Sequence, residues 1–185
     1  VLCIGYTPII INEKNLIKNL KCLGILILSD VIRQDAKTTL DYFKRQDVDI
    51  KIISGDDPVT VSAIARRCHL LNYEHYIDVS SLSDEQIKEA IEKYTIFGRV
   101  SPKQKQLMVN ALQENNHTVA MTGDGVNDVL ALKAADCSIA MASGSDAAKS
   151  ASHIVLLKNN FNAMPHIVNE GRRVINNITA SASMY

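Results

Sequence analysis

The chain has 185 residues, 46% of them hydrophobic, with 20 Lys+Arg against 20 Asp+Glu. At about 150 residues per domain this is one domain with room for a small appendage, in globular rather than disordered proportions. Balanced charge argues against a basic nucleic-acid footprint, and a complement of 6 Tyr, 3 Phe and 0 Trp argues against a stacking platform for single strands.

Apolar and amphipathic stretches alternate along the chain. Residues 23–28 predict a strand, and 35–45 a helix with Ala36, Leu40 and Phe43 at helical spacing. A short β-branched strand over 50–53 ends at Ser54-Gly55-Asp56. Asp57-Pro58 then opens a helix, with Asp at the N-cap and Pro at the first helical position. Ser83-Asp84-Glu85-Gln86 is a capping box ahead of a helix over 87–93. A brief strand over 95–97 follows, and Ser101-Pro102-Lys103-Gln104 starts a helix that runs to Glu114. Residues 118–121 predict a strand, Gly123-Asp124-Gly125 a tight loop, and 127–134 a helix. Strands over 137–141 and 154–157 bracket a short helix that begins at Asp146. From Phe161 the chain reads as helix, with Pro165 in its first turn or kinking it. Strand–helix alternation with short connections predicts an α/β domain with a parallel sheet flanked by helices.

No apolar run approaches the roughly 20 residues of a membrane span. The start, Val1-Leu2-Cys3, has neither an initiator Met nor the features of a signal peptide, so the chain reads as a piece of something longer. The cysteines at 3, 22, 68 and 137 show no C-x-x-C spacing. They read as reduced, mostly buried thiols of a cytosolic compartment.

Ligands of a parallel α/β sheet sit beyond the carboxyl ends of its strands, and four loops there carry chemistry. Ser54-Gly55-Asp56 offers a hydroxyl and backbone N–H groups to a phosphate, although an ordinary capped turn accounts for it equally well. Thr122-Gly123-Asp124-Gly125-Val126-Asn127-Asp128 sets two carboxylates four residues apart on a glycine-bent loop, which suits a hard cation such as Mg²⁺. Lys105 lies in the first turn of its helix, where the dipole disfavours a cation, so an anion such as a phosphate is expected beside it, although taken singly a solvated surface lysine, like Lys103 two residues away, is the plainer reading. Asp30 and Arg33 follow a strand, and the plain reading is a turn salt bridge. The five histidines share no ligand spacing and read as surface or helix-end residues.

In this order the four loops resemble the phosphorylation domain of P-type cation-transporting ATPases, members of the haloacid-dehalogenase superfamily. The most specific match is Met121 through Asp128, continued by Ala131-Leu132-Lys133-Ala134-Ala135-Asp136. Phe97-Gly98-Arg99-Val100-Ser101-Pro102 through Lys105 is similar to the motif with the essential lysine. Ser54-Gly55-Asp56 is similar to the Thr-Gly-Asp motif. Ser29-Asp30-Val31-Ile32-Arg33 resembles the hinge motif, and the run from Glu170 to Ile178 resembles the stalk toward a transmembrane helix. The subfamily it looks closest to is a bacterial one associated with calcium or magnesium.

The resemblance implies a haloacid-dehalogenase-like fold lacking the strand that carries the nucleophile, because no Asp-Lys-Thr-Gly-Thr run is present. It divides the chain into the end of a nucleotide-binding insertion (1–28), the second part of the phosphorylation domain (29–168) and the start of a stalk (169–185). It implies metal ligation by Asp124 and Asp128, with Mg²⁺ as cofactor. Lys105 and Asp128 are the catalytic pair, and Ser54, Gly55, Asp56, Arg99, Lys105 and Asn127 bind phosphate or nucleotide. Asp30 and Arg33 form the hinge. The implied partners are ATP, a transported cation, and the missing nucleophile-bearing and nucleotide-binding segments, in the cytoplasmic part of a bacterial plasma-membrane protein. The 185-residue piece itself is expected to be soluble and inactive, with Mg²⁺ bound weakly. Without the central strand, the strands ending at Ser54 and Thr122 either pair directly or leave a gap, which residues 1–4 are one way to fill. An exposed sheet edge is also a route to oligomerisation. Two alternatives stay open, a stand-alone phosphatase of the same superfamily and a non-enzymatic phosphate- or Mg²⁺-binding module.

Overall fold

The computed structural model describes residues 2–7, 20–27, 32–33, 35–158 and 160–184. The chain divides into two compact units, Val1–Arg33 and Gln34–Tyr185.

In the first unit, β1 (Leu2–Tyr6) and β2 (Lys21–Leu26) pair antiparallel, with an irregularity in register between Ile4 and Gly5. Among the described residues Leu2–Tyr6 pair with β2 alone, and not with a parallel strand. Two of the four thiols expected to be mostly buried, Cys3 and Cys22, are exposed on this ribbon.

The second unit alternates helix and strand: α1 (Ala36–Arg45), β3 (Ile52–Ile53), α2 (Pro58–Arg67), β4 (Tyr76–Asp78), α3 (Asp84–Lys93), β5 (Ile96–Gly98) and α4 (Pro102–Glu114). It continues with β6 (Ala120–Gly123), a 3-10 turn (Val126–Asp128), α5 (Val129–Ala134), β7 (Cys137–Met141), α6 (Asp146–Ala151) and β8 (Ile154–Leu156). A second 3-10 turn (Phe161–Ala163) leads into α7 (Met164–Ala182), with Pro165 in its first turn.

The helix starts follow the local chemistry. The Asp57 carboxylate accepts hydrogen bonds from the Val59 and Thr60 N–H groups ahead of Pro58. Ser83 with Gln86, and Ser101 with Gln104, form complete capping boxes. One strand, β4, is not expected from the sequence, because Tyr76-Ile77-Asp78 holds a single β-branched residue and ends on a carboxylate that strands disfavour. It exists because its backbone pairs with buried β5.

The parallel strands form two three-stranded sheets, ordered β3-β5-β4 and β6-β7-β8. Of the two outcomes expected without a central strand, direct pairing of the two strands is not observed among the described residues. Among the described residues β3 pairs only with β5, and β6 only with β7. Helices on both faces join the two halves. Ile96 of β5 packs with Val61 and Ala65 of α2 and with Leu40 of α1, while Phe97 packs the other way, with Ile87 and Ile91 of α3 and Met108 of α4. In the second half, Ile139 of β7 packs with Leu156, Met164 and Phe43 of α1, and Val109 of α4 packs with Ala131 of α5. Helices α1 and α4 thus straddle both sheets from opposite faces. Each fully buried side chain of this kind contributes about 1.5–3 kcal/mol. Among the described residues no helix is long and apolar enough to cross a membrane.

Candidate active site

The loops that leave the carboxyl ends of β3, β5, β6 and β7 are hydrogen-bonded to one another in series. After β3, the Ser54 N–H donates to the Phe97 carbonyl at 2.9 Å, and the Val100 N–H donates to the Ser54 carbonyl at 3.0 Å. After β5, Ser101 caps α4, and Lys105 in the first turn of α4 reaches the loop after β6. There its Nζ donates to Oδ1 of Asp128 at 2.6 Å. The loop after β7 closes the series, with the Ser145 N–H donating to the Asp124 carbonyl at 2.8 Å.

The Lys105–Asp128 pair is the electrostatic centre of this row, its side chains only 12% and 11% exposed. The anion that Lys105 was expected to need is present in the chain itself. The second carboxylate oxygen of Asp128 accepts the Gly125 N–H at 3.0 Å, so both oxygens are engaged. Gly123 permits this fold-back, since a Cβ there would lie 2.6 Å from Cβ of Asp128. The same bond tightens the chain into the 3-10 turn at Val126–Asp128, which delays α5 beyond its expected start at Asn127.

Asp124 is exposed, and among the described residues its carboxylate has no hydrogen bond or ion pair. Its backbone is fixed by residues the sequence reading passed over. Gly144 lies so close that a Cβ would sit 2.8 Å from the Asp124 carbonyl oxygen and 3.1 Å from its Cα. The run Ser143-Gly144-Ser145 just before a capped helix is the signal that marks this loop in the sequence.

Ser54 and Asp56 close on each other: the Asp56 N–H donates to Ser54 Oγ at 3.1 Å, and Ser54 Oγ donates to Asp56 Oδ2 at 3.3 Å. Gly55 and Asn127 are exposed, each in its own loop. Arg99 holds a left-handed backbone at φ 55°. Its N–H donates to the Asp56 carbonyl at 2.8 Å, while its guanidinium pairs with Asp57 at 3.1 Å and Asp78 at 3.2 Å. The Arg99 hydrogen bond holds the Asp57 carboxyl below its usual value, and the Ser80 hydroxyl does the same for Asp78. These two carboxylates are partners of Arg99 that spacing alone does not reveal. Of the hinge pair, Asp30 lies outside the described residues, and Arg33 ends the first unit.

The donor set at this edge suits a hard cation only in part. Asp124 offers one outward carboxylate, but among the described residues no three His, Cys, Asp or Glu side chains come together. A magnesium ion here needs further oxygen ligands from phosphate, water or another segment.

A parallel α/β frame with an acid loop, a buried lysine and a hydroxyl turn at one sheet edge defines a class. The chain belongs to the haloacid dehalogenase-like hydrolase family, whose profile matches residues 7–136. Its curated relatives are cation-transporting ATPases. It is 49% identical over 167 residues to the probable cation-transporting ATPase exp7 of Streptococcus pneumoniae, covering 90% of this chain and 22% of that protein. It is 49% identical over 165 residues to the calcium-transporting ATPase CtpE of Mycobacterium bovis, covering 88% and 20%. Among solved structures, a zinc-transporting PIB-type ATPase in its E2.Pi state matches with TM-score 0.65 and 27% identity, over 82% of this chain and 21% of the other. The catalytic domain of the CPx-ATPase CopB-B matches with TM-score 0.57 and 29% identity, over 74% and 46%. The chain spans about a fifth of the length of these curated relatives.

Proposed function

We propose that the chain is the second part of the phosphorylation domain of an ATP-driven cation pump that works through an aspartyl-phosphate. The carrying observation is the buried Lys105–Asp128 pair in the loop of exposed Asp124, with β3 and β6 each at the edge of its sheet among the described residues. In this reading a strand bearing the nucleophilic aspartate lies between β3 and β6. Residues 1–28 end the nucleotide-binding insertion, and 169–185 begin the stalk. The division after Arg33 supports a hinge at Asp30 and Arg33.

The residues divide the work as follows. Lys105, held by Asp128, offsets charge on the transferring phosphoryl group. Ser54 and the Gly55 N–H bind its oxygens once the Ser54–Asp56 hydrogen bond opens, and Asn127 orients it. Arg99 and Asp56 meet the nucleotide. Asp124, with Asp128 behind it, holds magnesium, which supplies charge neutralisation when bound. On this reading the domain faces the cytoplasm at a bacterial plasma membrane. Calcium is the first cation to test, since six relatives are named calcium-transporting.

The test is phosphorylation of the intact protein in membranes with labelled ATP and magnesium. An acid-stable, hydroxylamine-labile phosphoprotein that disappears in Asp124→Asn is expected. Absence of any such band in the wild type overturns the reading. Turnover of a generic phosphate ester by the 185-residue chain alone favours the stand-alone phosphatase instead.

A further inference from the structure

The ribbon β1-β2 holds two thiols that the phosphoryl-transfer site does not use. Cys3 Sγ and Cys22 Sγ lie 3.4 Å apart, and both residues are exposed. Their meeting depends on the irregular register. Cys3 stands opposite Ile25 and Ile4 opposite Gly24, but Gly5 stands opposite Cys22, so Leu23 is an extra residue. Side chains alternate along a strand, and one inserted residue moves everything beyond it to the other face. In a regular pairing Cys22 would face Tyr6, on the side away from Cys3. The bulge turns it to the face of Cys3 and Gly5. Gly5 has no side chain to stand between the two sulfurs.

We propose that Cys3 and Cys22 form a reversible intramolecular disulfide, a modification site whose oxidant is a low-molecular-weight disulfide. One thiolate attacks a sulfur of the oxidant and releases the first small thiol. The second cysteine, losing its proton, attacks the mixed disulfide and releases the other. Two protein thiols are oxidised, one external disulfide is reduced to two thiols, and the two protons leave with them. The sulfurs must close from 3.4 Å to about 2.05 Å, and both side chains are exposed and free to turn. The neighbouring Cys22 holds the Cys3 thiol above its ordinary pKa, so the first step quickens as pH rises. A two-stranded ribbon is marginal by itself, and a cross-link between its strands reinforces the fold at its weakest point. The other two cysteines lack this geometry. Burial pushes the Cys68 thiol up, and among the described residues neither Cys68 nor Cys137 has a thiol beside it. The site is independent of the pump reading, because it needs neither ATP nor magnesium.

The test is a titration of the full chain with reduced and oxidised glutathione, acid quenching, alkylation and peptide mapping by mass spectrometry. A cross-linked peptide joining Cys3 to Cys22 within one chain should form at about tenfold less oxidised glutathione than lasting adducts on Cys68 or Cys137. In Cys3→Ser and Cys22→Ser, the remaining ribbon cysteine should retain a glutathione adduct that the wild type resolves. Separate adducts accumulating on Cys3 and Cys22 in the wild type, or a link found only between two chains, overturns the proposal without bearing on the pump reading.

Discussion

The two parallel sheets anchor their functional loops by opposite means. In the β3-β5-β4 half, the loop after β3 is tied down at the surface, by Arg99 pairing with Asp57 and Asp78 and by the Ser54–Asp56 hydrogen bonds. In the β6-β7-β8 half, the loop after β6 is tied down inside, by Lys105 on buried Asp128 and by a glycine that lets the carboxylate fold back. Exposed pairs are weak and screened, so the first loop can exchange its partners for a ligand at little cost. A buried pair has already given up its water, and removing one member leaves the other uncompensated. The first half is suited to rearrangement and the second to rigidity.

The largest effect should separate the halves at once. Lys105→Met leaves Asp128 buried without its cation and should destabilise the domain by about 3–5 kcal/mol. Urea unfolding measures this, and Lys105→Met combined with Asp128→Asn should recover part of the loss. A midpoint for the single variant equal to wild type would show that water reaches the pair, and the contrast would fail.

Next come two glycines in matching places. A Cβ at Gly98, ending β5, would lie 2.4 Å from Cδ and 2.5 Å from N of Pro58. At Gly123, ending β6, it would meet the Asp128 side chain at 2.6 Å. Each Gly→Ala change should cost about 1–3 kcal/mol by overpacking. The relief should differ. Adding Asp128→Gly should relieve Gly123→Ala, since the Cβ at 128 is then gone, whereas no side-chain truncation at Pro58 should relieve Gly98→Ala, because the backbone N of residue 58 stays 2.5 Å away. Equal relief by Asp128→Gly at both sites would refute the distinction.

The smallest effect is the pH response of the first half. Asp57 and Asp78 have folded pKa values lowered by their hydrogen bonds. Their stabilisation is therefore complete above the ordinary carboxylate value, about 3.9, and fades as pH falls through the lower folded values. Arg99→Ala should flatten this acid limb only slightly, and salt should flatten it in the wild type as well. A steep loss starting near neutral pH, unaffected by Arg99→Ala, would place the controlling groups elsewhere.

Much of this was legible in the sequence, for reasons that can be named. Helix starts were, because Asp57-Pro58, Ser83…Gln86 and Ser101…Gln104 act through bonds within a few residues. The requirement of Lys105 for an anion followed from its place in the first turn, although the anion turned out to be Asp128. What depended on distant pairing was not legible. Strand β4 owes its existence to β5, Arg99 finds Asp57 and Asp78 only through the folded chain, and Gly144 approaches Asp124 from a loop 20 residues further on. The bulge that brings Cys22 toward Cys3 is likewise a property of two strands together.

Helices α1 and α4, lying across both sheets from opposite faces, fix how far apart β3 and β6 stand. That spacing is determined by side-chain packing before any additional strand is present. On the proposed reading, the strand that enters between the two edges meets halves already tied together by α1 and α4 and need order only itself. Joining of this kind is docking onto a preformed frame, with the entropy loss confined to the newcomer.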